Sequence, residues 1–184
     1  MSRVYLVRHG EANARWSESA DPGLSELGKS QADQAAGELR QRIADAQPRL
    51  ISSPLARAQQ TAEPLADLLQ QDFVIDDRIR EIPSPVPLSE RQDWLRTFMT
   101  QHWSQQPPEL HHWRDQILEA LLEQTADAVL FTHFLVINAV VGACGERDET
   151  LVVWPANASI TELEVVGDQI IVKQLGEQMR SVVN

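Results

Sequence analysis

Arg8 and His9 stand side by side at the end of an apolar run, and Gly10 follows at once in the stretch VYLVRHGEAN. A second arginine, Arg57, lies in SSPLARAQQTA, and a second imidazole, His133, closes the run VLFTH. These residue types suit phosphoryl chemistry. A phosphoryl group must be held by several donors while a nucleophile approaches in line, so the protein's main task is positioning and charge stabilisation. The planar fork of arginine binds two oxygens at once. A neutral imidazole, with a reference pKa of about 6.5, attacks phosphorus without a separate base to deprotonate it. Gly10 lets the backbone approach the pocket closely and turn away from it.

The elements that must position these groups can be read from the hydrophobic pattern. Arg3 to Val7 has almost no polar alternation, as expected of a central strand in a parallel or mixed sheet, and it delivers Arg8-His9-Gly10 at its carboxyl end. Ser25 is a suitable N-cap for a helix whose Leu27, Ala32, Ala35, Leu39 and Ile43 fall near helical spacing, ending before Pro48. A short strand, Arg49 to Ser52, precedes a second helix with Leu55, Ala58, Ala62, Leu65 and Leu69 on one face and a kink expected at Pro64. Phe73 to Ile75 reads as a further strand, and DRIREIPSPVP as an irregular loop because its prolines deny it a ladder. Ser89 to Gln124 returns to helix, broken at Pro107-Pro108. DAVLFTH is a buried strand, FLVINAVVGACG a helix capped near Gly145, and SITELEVVGDQIIVKQLG a hairpin turning at Gly167-Asp168. This alternation predicts one three-layer α/β/α sandwich over residues 1–184. In such sheets ligands sit beyond the carboxyl ends of the strands, where His9, the Ser52-Ser53 loop and His133 would meet.

Composition narrows the partners. With 16 basic and 27 acidic residues the net charge is −11, which argues against nucleic acid and anionic membrane as partners and confines any phosphate site to a local basic pocket. The run Ala128 to Cys144 is interrupted by Thr132, His133 and Asn138 and makes a poor membrane span. No signal-peptide pattern opens the chain, and the single cysteine, Cys144, suits a reducing compartment, so a cytoplasmic location is expected.

The motifs LVRHGEAN, LSELGKSQA, SSPLARAQQTAEPLA and VLFTHFLVINAV resemble, in order and spacing, the histidine phosphatase superfamily, also called the phosphoglycerate-mutase-like family. The resemblance covers nearly the whole chain and is weakest between Pro83 and Thr125. It implies the phosphoglycerate-mutase-like form of the α/β/α sandwich, with a central mixed, mostly parallel sheet and a variable helical insert at about 83–125. It implies that His9 is the nucleophile that becomes phosphohistidine, that Arg8 and Arg57 grip the phosphate oxygens, and that His133 bonds the phosphoryl group and stabilises its charge. Glu81, in REIP, lies where the family keeps its general acid, with Glu11 as a rival. No metal and no cofactor is called for, because the arginines and the histidine supply positive charge. The expected partner is a small phosphorylated substrate or a phosphoprotein.

The chain departs from the family in reading THF where members often read SHG, so Phe134 is expected to reshape the pocket wall. The leading expectation is a metal-independent phosphomonoester hydrolase. A phosphoglycerate-type mutase is one alternative, and a protein phosphohistidine phosphatase or non-catalytic phosphate-binding module is another. His102, His111 and His112 lack the acidic or cysteine neighbours of a zinc site and read as solvated helix positions. Trp94, Trp103 and Trp113 fit either packing or a substrate mouth.

Overall fold

The computed structural model describes residues 1–13 and 21–179. One six-stranded sheet organises them. Its strands are β1 (Ser2–Arg8), β2 (Arg49–Ser52), β3 (Val74–Ile75), β4 (Ala128–Thr132), β5 (Ile160–Val166) and β6 (Gln169–Gln174), in the order β3-β2-β4-β1-β5-β6. The three contacts among β1 to β4 are parallel, and β5 and β6 add an antiparallel edge.

Strand alternation divides the core into two halves. Val4, Leu6, Ile51, Leu130 and Leu163 face a cluster built with α3 (Arg91–Phe98), α4 (Pro108–Leu122) and α5 (Phe134–Cys144). Tyr5, Val7, Leu50, Val129 and Phe131 face α1 (Glu26–Ile43) and α2 (Ala56–Leu69). Neighbouring residues thus bury on opposite faces, which is why β1 and β4 read as continuous apolar runs. The result is the α/β/α sandwich, with a mixed sheet. No helix among the described residues is long and apolar enough to cross a membrane.

The helix boundaries follow local chemistry. The Ser25 hydroxyl accepts from the Gly28 amide and caps α1. α2 runs through Pro64 as one element. Pro108 opens α4 at a position where a missing N–H costs nothing. Two details correct the sequence reading. Asp77–Ile79, inside the segment read as irregular, forms a turn of 3-10 helix that the Asp76 side chain caps. The insert is also broken after Phe98, where no proline stands: the distant Thr150 donates to the Phe98 carbonyl, and its amide donates to that of Gln101. That interruption is a tertiary contact between sequence-remote segments, which periodicity does not register.

Candidate active site

The parallel strands end level with one another, and their ends gather the site. Arg8 pairs with Thr132 and Ser52 with Phe131, so His9, Ser53 and His133 lie just past the paired residues. The ladder continues into them: the His9 amide donates to Thr132 O at 2.9 Å and the Ser53 amide to Phe131 O at 3.0 Å. The His9 carbonyl accepts from the Ala158 amide and from Asn157 Nδ2. The backbone of His9 is therefore fixed on both sides before its ring makes any contact.

The ring has a determined tautomer. Nδ1 lies 2.7 Å from Gly10 O, which can only accept, so Nδ1 carries the proton. Arg57 Nε, which can only donate, lies 3.2 Å from Nε2, so Nε2 presents its lone pair. Burial first, and then the charges of Arg57 and Arg8, hold the His9 pKa well below the usual imidazole value against the opposing Gly10 bond. His9 is thus neutral at neutral pH, with its free nitrogen directed at the guanidinium of Arg57.

Arg57 is placed by the first turn of α2 and is 3% exposed. Thr61, one turn on, accepts from the Gly10 amide and donates to Arg57 O, tying the Gly10 loop to this helix. Arg8 Nη1 donates to Pro155 O at 2.7 Å, while its Nε is buried with no partner among the described residues. Burial, against the pull of Glu81 and with the repulsion of Arg57, brings the Arg8 pKa down to about 10, so it stays cationic at neutral pH.

His133 is fully buried, its ring centroid 5.2 Å from that of His9 and its Nε2 2.7 Å from Ser53 Oγ. Burial, His9 and the two arginines hold its pKa well below the usual range. Its Nδ1 is buried without a partner among the described residues. An unsatisfied polar atom of this kind is costly in a sealed core.

Glu81 closes the group. Its carboxyl oxygens accept from the Ile82 amide at 3.0 Å and from the Leu135 amide at 3.4 Å, so it caps the first turn of α5, where the His133 side chain makes no cap bond. Burial raises its pKa against the opposing effects of the amides and of Arg57 and Arg91. The residues before it are pinned: Thr132 Oγ1 donates to Ile79 O and Trp113 Nε1 to Arg80 O. Glu11, the rival acid, is exposed and accepts from the Ser25 hydroxyl. Arg8, His9, Arg57, Glu81 and His133, singled out from the sequence, thus lie in one place.

Residues 4–178 match the model of the histidine phosphatase superfamily (branch 1). The chain belongs to that superfamily. A probable phosphoglycerate mutase, GpmB of Enterobacter sp. (strain 638), is 35% identical over 111 residues, which are 54% of this chain and 50% of that protein. The match therefore spans about half the length of this curated relative. Among solved structures, Bacillus stearothermophilus YhfR aligns over 94% of this chain and 96% of its own with a TM-score of 0.76 at 21% identity. A mutant phosphoserine phosphatase of Entamoeba histolytica, in complex with phosphoserine, aligns over 96% and 98% with a TM-score of 0.71 at 20% identity. At these identities the likeness shows the shared phosphoglycerate-mutase-like fold. The similar proteins thus include one named a probable phosphoglycerate mutase and one named a phosphoserine phosphatase.

Sequence reasoning passed over several residues around this superfamily pocket. Ser53 appeared only as part of a loop, although it holds His133. Asn157, which supports His9, sits in an irregular segment with no periodic signal. Gly28 is the nearest neighbour of Gly10: a Cβ on Gly10 would lie 2.4 Å from Gly28 O, and one on Gly28 would lie 2.1 Å from Glu11 O. The glycine of LSELGKSQA is thus the seat on which the RHG loop rests. Phe134 lies against the site, with its ring centroid 5.1 Å from the Arg8 guanidinium carbon. Trp103 and Trp113 lie in the core and serve packing.

Proposed function

We propose that this chain is a phosphomonoester hydrolase that works through a phosphohistidine on His9. The observation that carries the reading is the His9 tautomer, with Nδ1–H tied to Gly10 O and the Nε2 lone pair free to leave Arg57 for phosphorus. In the first step Nε2 attacks, the bond from phosphorus to the ester oxygen breaks, and protonated Glu81 gives its proton to the leaving oxygen. In the second step Glu81 takes a proton from water, the hydroxide attacks phosphorus, and the bond to Nε2 breaks to release phosphate. Arg8, Arg57 and His133 hold the oxygens throughout, the two arginines supplying the positive charge that other phosphatases draw from metal ions and His133 a neutral hydrogen bond. The opposite pKa directions of His9 and Glu81 suit this division, because the nucleophile must be unprotonated while the acid keeps its proton. The reading predicts activity from neutral to mildly acidic pH, falling on the alkaline side as Glu81 ionises.

The test is hydrolysis of a generic aryl phosphate with a chelator present, beside His9→Ala and with vanadate as inhibitor. Chelator-resistant, vanadate-sensitive turnover that vanishes with His9 supports the proposal, and turnover retained in the variant overturns it. The similarity to a probable phosphoglycerate mutase favours a second reading, in which the phosphoryl group is returned to the substrate instead of to water. A coupled assay of 3- to 2-phosphoglycerate conversion separates the two.

A further inference from the structure

Phe134 and Trp154 make up a part of the candidate site that the catalytic scheme does not use. Phe134, the first residue of α5, is 4% exposed and lies against the Arg8 guanidinium. Trp154 meets it edge to face with ring centroids 5.7 Å apart and is itself 50% exposed. The two rings form a continuous aromatic surface leading from a phosphate-gripping arginine to solvent.

This surface is held from several directions. Asn138 accepts from the Val152 and Val153 amides and donates to Phe134 O, so one buried amide joins the start of α5 to the segment that leads into Trp154. The Trp154 amide donates to Gln178 Oε1, its carbonyl accepts from the Met179 amide, and the next residue, Pro155, accepts from Arg8. A half-exposed indole alone would mean little, but this one is contiguous through Phe134 with the Arg8 guanidinium and so offers an aromatic wall beside a polar group. A phosphate held by the Arg8 guanidinium would have Phe134 as its neighbour and Trp154 beyond it, so that its ester substituent could extend along the two rings.

We infer that Phe134 and Trp154 select phosphate esters whose leaving group carries an aromatic ring, with Trp154 as the specificity-determining residue. The inference rests on the phosphomonoesterase reading above. Edge-to-face and offset stacking on an indole adds to simple burial of the ring, while a small hydroxylated or charged leaving group gains nothing from such a wall.

Aryl phosphates are poor probes of this idea because their phenolic oxygen leaves more easily whatever the wall contributes. 2-Phenylethyl phosphate and n-butyl phosphate share an aliphatic leaving oxygen and differ in the ring. Wild-type protein is expected to favour the phenylethyl ester in kcat/KM by about threefold to tenfold, mainly through KM. Trp154→Ala brings the ratio close to one, and Trp154→Phe restores most of it, which separates stacking from a general disturbance of the loop. A wild-type ratio near one, or a ratio unchanged in a folded Trp154→Ala protein, overturns the specificity inference and leaves the phosphatase reading intact. Failure of the folded wild type to hydrolyse either ester overturns both.

Discussion

The ends of β1 and β4 and the segment from Pro83 to Thr125 are both rich in imidazole and aromatic side chains, yet the two regions treat them differently. At the strand ends His9 and His133 are almost fully buried, their ring centroids 5.2 Å apart and their planes tilted by 58°, with Arg57 hydrogen-bonded to His9. In the insert His102 and His112 are exposed, and the groups that are buried are the indoles of Trp103 and Trp113. Trp103 stacks on Trp113, meets Phe98 edge-on and lies under the Arg114 guanidinium. Among the described residues no three His, Cys, Asp or Glu side chains gather as a metal would require. The difference is one of backbone. A strand end presents a side chain into a crevice on a rigid, hydrogen-bonded base, whereas a surface helix buries one stripe and leaves the rest to water. The two regions meet at Arg80, whose carbonyl receives the Trp113 indole proton, so the insert buttresses Glu81.

The sharpest break of this comparison is a pair of histidine substitutions. His9→Ala is expected to lower kcat/KM for an aryl phosphate by about 10⁴-fold or more, since it removes the group on which the proposed covalent step depends. His112→Ala should leave it within about twofold. Comparable losses in both variants, measured on folded protein, would erase the distinction between pocket and insert.

Trp103→Ala addresses the other half. Removing a buried indole from the insert core is expected to lower unfolding free energy by about 3–5 kcal/mol, read from urea melts. The specific activity of the folded fraction should fall far less than in His9→Ala. A loss of activity without a loss of stability would make Trp103 part of the substrate mouth.

These contrasts also show what could be read from the chain. The strands were legible because β1 and β4 bury both faces, and the helices because α1 and α2 keep apolar residues at steps of three and four. His9 and His133 could be placed because each follows such a strand directly, and Arg57 because it lies in the first turn of a helix that follows another. Glu81 was located through the family resemblance, and its surroundings depend on contacts with Leu135 and Trp113 that are remote in sequence. Asn157 and Trp154 lie in the irregular segment between α5 and β5, where no period marks a residue as inward or outward. The break after Phe98 escaped for the same reason: Thr150 makes it from more than fifty residues away.

Glu81→Gln tests whether the buttressed carboxyl does chemistry or only caps α5. The amide keeps one acceptor oxygen but cannot give a proton, so ester hydrolysis should fall by about 10²- to 10³-fold while the melting temperature changes by a few degrees. The deficit should narrow for esters with better leaving oxygens, which need less protonation. An activity loss of the same size for all leaving groups would assign Glu81 a structural role, with the insert supporting only the helix cap.

The smallest effect lies in the pH dependence of stability. The folded pKa values of His9 and His133 lie below those of the unfolded chain because burial opposes the imidazolium in both, with the arginines adding to it. Below the reference value of about 6.5 the unfolded chain therefore binds more protons than the folded one. The stability this neutral pair contributes is complete above that pH and is lost as the pH falls from there towards the folded values. Each histidine contributes a slope of up to about 1.4 kcal/mol per pH unit in that window. Glu81 has the opposite sign, because its raised folded pKa gives stability that is present at low pH and lost as the pH rises through it. Urea melts between pH 7 and pH 5 on a Glu81→Gln background isolate the histidine contribution, and adding His133→Asn should flatten the acid slope by about one proton's worth. An unchanged slope would mean that His133 is protonated as readily in the pocket as in the unfolded chain. Its burial would then no longer distinguish it from the histidines of the insert.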